Sequence, residues 1–136
     1  MVRILAAAAA VAVGVASADA QVPPGYPAEY AKVVEAATRE GRLVVYSTTD
    51  STAAGQLLRD FAELYPRLRV DYVDLNSGEL YKRFRAESAA GADTADLIWT
   101  SAMDGQVKLA VEGKAATYAS PELPSQALRE RPWASS

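Results

Sequence analysis

The sequence predicts an α/β domain built on a mostly parallel sheet flanked by helices. Leu43 to Tyr46 is a short continuous apolar run with the length and density of a strand covered on both faces, and Ala95-Asp96-Leu97-Ile98-Trp99 has strand length as well. Segments with apolar residues at helical spacing alternate with the strands, as crossover connections between parallel strands require. Each strand also ends in a cluster of hydroxyl, amide or carboxylate side chains directly before a helix.

The chain of 136 residues opens with one cation, Arg3, and an unbroken apolar run from Ile4 to Val15, followed by small residues. That order is a secretory signal peptide, read as residues 1–20. Two A-x-A patterns place cleavage after Ala20 or, as the second choice, after Ala18. The run is too short for a bilayer span, which needs roughly 20 apolar residues. Residues 21–27 form a Pro-rich leader, Gln21-Val22-Pro23-Pro24-Gly25-Tyr26-Pro27, read as a surface arm.

From Ala28, the residues Tyr30, Val33, Val34 and Ala37 recur at helical spacing, and Gly41 closes that helix. Leu43 to Tyr46 then reads as a central parallel strand, interrupted by Ser47-Thr48-Thr49-Asp50-Ser51. Ala54, Leu57, Leu58, Phe61 and Leu64 resume a helical stripe that ends before Pro66. Val70 to Leu75 mixes apolar and acidic residues, the mark of an edge strand or one with a solvated face, and Asn76-Ser77-Gly78 ends it. A weaker helix over Gly78 to Ala90 is anchored by Leu80 and Phe84. Ala95 to Trp99 is the third strand, and Met103, Val107, Ala110 and Val111 form a last helical stripe stopped at Gly113.

Composition removes several classes of function. The net charge of -3 survives loss of Arg3 and Asp19 and leaves no basic stripe, so nucleic acid is not an expected partner. With no Cys and no His, the usual thiolate and imidazole metal sites, a thiol nucleophile and a Ser-His-Asp triad are all excluded. No catalytic residue, metal ligand or cofactor is therefore expected. An enzyme would need Asp50 to find a second carboxylate, and the sequence shows no such pair.

Ligands of open α/β sheets bind beyond the carboxyl ends of the strands. The candidate binding residues are those at the three strand ends: Ser47, Thr48, Thr49 and Asp50; Asn76, Ser77 and Gly78; Thr100 and Ser101. Taken singly, Asp50 or Ser51, Ser77 and Ser101 read as helix N-caps. Taken together, the hydroxyls exceed what capping uses, and three helix N-termini could hold an oxyanion or carboxylate. Asp50 would repel a simple anion but could meet an amine or a metal. Trp99 reads as core rather than as a stacking surface.

Glu40-Gly41-Arg42-Leu43-Val44-Val45-Tyr46-Ser47, then Ser77-Gly78-Glu79-Leu80 with a basic helix ending Ala86-Glu87, then Ala95-Asp96-Leu97-Ile98-Trp99 resemble one family in order and spacing. That family is the extracellular solute-binding proteins of ABC importers, of the type that includes the iron(III)-binding proteins. The resemblance covers about residues 28–122. It implies a periplasmic-binding-protein type II fold, of which residues 28–122 form the first lobe, and ligand contacts from the same three loops. It also implies capture of a small solute, iron or another small anionic or zwitterionic compound, for an ABC permease in the inner membrane. Residues 123–136 read as an irregular tail with the second lobe absent, so a truncated form is expected. The metal-holding tyrosines of iron-binding members lie in the second lobe, and no residue here inherits that role. A periplasmic solute-sensing or regulatory module would carry the same lobe.

A periplasmic location with a cleaved leader is directly measurable. Intact-mass analysis of periplasmic material should show a mature protein beginning at Gln21 or Asp19; retention of Met1 would contradict it.

Overall fold

The computed structural model describes residues 22–121. The signal peptide, Gln21 of the leader, Glu122 and the tail over 123–136 lie outside the described residues. Helices and strands alternate in the order α1 (Tyr30–Glu40), β1 (Arg42–Ser47), α2 (Ser51–Leu64), β2 (Arg69–Asp74), α3 (Ser77–Ala89), β3 (Leu97–Trp99) and α4 (Met103–Val111). No helix among the described residues is long and apolar enough to cross a membrane.

The three strands form one parallel sheet in the order β2-β1-β3. β1 runs in register with β2 from Arg42 opposite Arg69 to Ser47 opposite Asp74, and with β3 from Val45 opposite Leu97 to Ser47 opposite Trp99. As the middle strand it buries Val44, Val45, Tyr46 and Ser47, which explains its unbroken apolar sequence. β2 and β3 lie on opposite sides of β1, so right-handed crossovers put α2 and α3 on opposite faces of the sheet. Val44 and Tyr46 accordingly meet Leu80 and Phe84 of α3 and Leu109 of α4 in the main core cluster. Val45 points to the other face, where Val34 and Ala37 of α1 share a cleft with Phe61 of α2 and Tyr65.

Local chemistry sets the ends of the elements. Gly41 takes the left-handed conformation, φ 69°, that a side chain would resist, and its N–H donates to the Ala37 carbonyl to close α1. Its own carbonyl accepts from the Arg69 N–H, so the residue that ends α1 also opens the pairing of β1 with β2. On β2, Asp71 accepts from Arg42 at 2.8 Å and Arg69 at 2.9 Å, which holds its carboxyl below the usual range and puts charge along that edge.

Two elements differ from the sequence reading. β3 begins at Leu97, not Ala95, because Asp96 substitutes for the ladder with its side chain. Its carboxylate accepts the Val44 N–H at 2.8 Å while its own N–H donates to the Val44 carbonyl at 3.0 Å. In α4, the stripe of Met103, Val107 and Val111 faces outward, with Val111 83% exposed, and the buried residues are Gly105 and Leu109. The cause is Tyr81 of α3. Its ring lies so close to Gly105 that any Cβ there would collide with it, which turns the glycine face of α4 inward.

Across α3, the Tyr46 hydroxyl donates to Glu87 at 2.7 Å, and Arg83 donates to the same carboxylate at 2.8 Å while lying over the Tyr46 ring. Arg83 and then Tyr46 hold the Glu87 carboxyl below its ordinary value, whereas burial pushes the Tyr46 phenol up. Because the folded pKa is depressed, this network stabilises fully above the ordinary glutamate range and loses its contribution as pH falls through the folded value. Asp50, Asp71 and Glu112 are depressed too, so the whole protein should weaken in acid. The Glu87→Gln variant should show a smaller fall in urea midpoint between about pH 6 and about pH 3 than the unaltered protein. Equal falls would remove Glu87 from the account.

Candidate functional site

A parallel sheet in the order β2-β1-β3 has its topological switch between β1 and β3, since the chain leaves β1 toward one side and the third strand enters on the other. In open sheets of this kind the loops after such a pair of strands lead apart, and a ligand crevice is expected at the carboxyl edge between them. The sequence-predicted residues of the first and third loops fall at this crevice.

Ser47 is fully buried at the end of β1. Its hydroxyl donates to the Trp99 carbonyl at 3.0 Å and accepts the Thr49 N–H at 3.0 Å, so both of its bonds serve the turn. The structure thus places this candidate hydroxyl inside the turn rather than on the surface of the loop. Thr48 lies one residue further out and is half-buried. Its N–H donates to the Trp99 carbonyl at 3.1 Å, and its hydroxyl meets that of Thr100 at 3.1 Å. Thr49 contributes its carbonyl to the Tyr72 hydroxyl at 2.6 Å. Asp50 caps α2 by accepting from the N–H groups of Thr52 and Ala53, and these two bonds lower its pKa.

In the second loop the cap of α3 is Asn76, while Ser77 and Gly78 form the first helical turn. Asn76 accepts the Glu79 N–H at 3.0 Å and donates its amide to the Glu79 carboxylate at 2.6 Å, a reciprocal arrangement like a capping box. Among the described residues the hydroxyls of Ser77 and Ser101 have no hydrogen-bond partner, and both residues are exposed. Thr100 is half-buried; its hydroxyl oxygen also accepts the Ala102 N–H at 3.1 Å, and its carbonyl accepts from the Gln106 amide at 2.8 Å. The second loop is tied to the first through Leu75 N–H to the Ser47 carbonyl at 2.9 Å, and through Ser51 N–H to the Asp74 carboxylate at 3.1 Å.

The site therefore centres on the Thr48 and Thr100 hydroxyls, flanked by the N-termini of α2 and α4, with the α3 N-terminus joined through β2. Sequence reasoning missed Tyr72, Asp74, Tyr81 and Gln106, which brace these loops. Tyr72 and Asp74 stand two residues apart on β2, and that spacing was the available signal that they share the face of the sheet that carries α2 and the first loop. Trp99 is half-buried with its ring edge-on to Tyr72, centroids 6.3 Å apart, and it supplies the carbonyl that both Ser47 and Thr48 use. No group of three or more carboxylates able to hold a metal ion occurs among the described residues. A cavity of about 640 Å³ between β3 and α4 is lined by none of the candidate residues of the three loops.

These features define a small doubly wound α/β lobe with its polar edge open, the kind of lobe found in a substrate-binding protein. Among solved structures, the chain is similar to the substrate-binding protein of an ABC transporter from Agrobacterium tumefaciens, with 38% sequence identity and a TM-score of 0.56. The match covers 63% of this chain and 24% of that one, so the chain spans about a quarter of the length of the protein it matches. No family model matches the chain, and none of the curated proteins matches it.

The division between buried and open hydroxyls can be tested by stability. Ser47→Ala strips two internal hydrogen bonds from a fully buried position and should cost about 1–3 kcal/mol in urea unfolding. Ser101→Ala should stay within about 0.5 kcal/mol. A neutral Ser47→Ala would contradict the assignment of that hydroxyl to the fold.

Proposed function

We propose that the chain is the periplasmic solute-binding component of an ABC importer, with the described lobe forming one wall of the solute site and an inner-membrane permease as its partner. The observation that carries this reading is the Thr48–Thr100 hydroxyl pair at the switch crevice of a lobe similar to a solved transporter binding protein. A crevice between diverging loops, rimmed by helix N-termini, favours an anionic oxygen on the ligand. The same rim carries Asp50, Asp74, Glu79 and Asp104, and residues 47–54, 74–80 and 99–106 contain no Lys or Arg. Those carboxylates favour a cationic group on the same solute, so a zwitterion satisfies the rim better than a simple anion does. Iron has no cluster of carboxylate ligands among the described residues and would need ligands from elsewhere.

A ligand that binds only the folded state must raise its melting temperature. A thermal-shift screen of the full chain against amino acids, phosphate, phosphonates, polyamines and ferric ion should show its largest rise with an amino acid. Thr48→Ala and Thr100→Ala should each weaken that binding by about 1–3 kcal/mol, the worth of a hydrogen bond to a charged group. No rise with any compound, or full affinity in both variants, would count against the reading.

A further inference from the structure

Tyr81 belongs to α3, yet its polar atom serves the third loop. Its hydroxyl donates to the Ala102 carbonyl at 2.9 Å, and its ring lies on Gly105 in the first turn of α4. One side chain thus grips both the residue before α4 and the helix itself. Burial, with Asp104 adding to it, holds the phenol above its ordinary pKa, so it stays a hydrogen-bond donor at neutral pH.

What Ala102 does next connects this clasp to the site. Its N–H donates to the Thr100 hydroxyl oxygen, which shares a further bond with the Thr48 hydroxyl. The two threonines carry two hydroxyl protons, and one of them fills the bond between the pair. One proton is left to donate outward, and its direction follows from where the turn over Thr100 to Ala102 is held.

We propose that Tyr81 is a positioning residue of the solute site: by holding the Ala102 carbonyl it fixes the Thr100–Ala102 turn, so that the free proton of the Thr48–Thr100 pair meets an anionic oxygen on the solute. The part that concerns the solute rests on the transport reading above; the part that concerns the turn does not. Gly105 completes the device, because the ring can reach Ala102 only where α4 presents no Cβ.

The test is Tyr81→Phe in the full chain, which keeps the ring on Gly105 and removes only the hydroxyl. Amide hydrogen exchange should show the Ala102 N–H exchanging about fivefold faster, with the amides of β1 and the melting temperature unchanged. Glycine and inorganic phosphate serve as probes in an NMR titration. Whichever one moves the Thr48 and Thr100 amides of the unaltered protein should bind the variant about fivefold more weakly. Unchanged exchange at Ala102 overturns the proposal, and so does a uniform rise across α3, α4 and β1, which would make Tyr81 a general brace. If neither probe moves those amides, the solute reading fails, while exchange at Ala102 still upholds or overturns the clasp.

Discussion

Everything in this lobe hangs on β1 being bonded along both edges at once. Its backbone groups pair with β2 on one side and β3 on the other, and its side chains are covered on both faces. A parallel strand cannot reach its neighbours through tight turns, so both connections must be helical crossovers, and the chain must change sides between the first and the second. The crevice is a by-product of that change of sides. Thr48 and Thr100 face one another because β1 and β3 are neighbours in space while α2 and α4 lead their chains apart.

Much of this was legible in the sequence because burial on two faces leaves a plain signature, a short apolar run bounded by polar residues. Leu43 to Tyr46 shows it, and so does the pairing of Leu80 with Phe84 in α3. The errors came where a side chain imitates a backbone or where an absent side chain decides the packing. Asp96 in Ala95-Asp96-Leu97-Ile98-Trp99 reads as part of a strand, but its carboxylate takes the Val44 N–H and shortens the ladder. In α4 the larger apolar residues suggested the inward face, whereas the close approach of Tyr81 selects the face carrying Gly105. Periodicity weighs residues by hydrophobicity, and a glycine contributes nothing to such a sum even when the contact depends on it.

The polar loops show the same division. Their surplus of hydroxyls lies at the carboxyl edge of the sheet, but residue type could not say which oxygen faces inward. Ser47 and Thr48 are adjacent and chemically alike, yet strand alternation sends the first into the turn and leaves the second at the crevice. Asn76 takes the cap that Ser77 could equally have supplied, and so frees the Ser77 hydroxyl. A side chain spent on the turn and one nearer the surface are thus a single position apart in two of the three loops.

The loops differ in how they are held. The first is part of the sheet's own bonding, through Thr48 N–H to the Trp99 carbonyl, and the second begins on it, through Leu75 N–H to the Ser47 carbonyl. The third follows the shortest strand, at an edge where Leu97 is 49% exposed beside an apolar cavity lined by Phe84, Ile98, Leu109 and Tyr118. β2, at the opposite edge, is guarded by the charges of Arg42, Arg69 and Asp71, and among the described residues no ion pair of that kind lies on β3. With Met103, Val107 and Val111 turned outward, α4 is held through Gly105, Leu109 and the Tyr81 clasp, together with the Arg85–Glu112 ion pair just past its end. An element with few buried contacts opens at lower free energy than one woven into the sheet. The α4 side of the sheet's carboxyl edge is therefore the part that opens most readily, and the β1 side the part held most firmly.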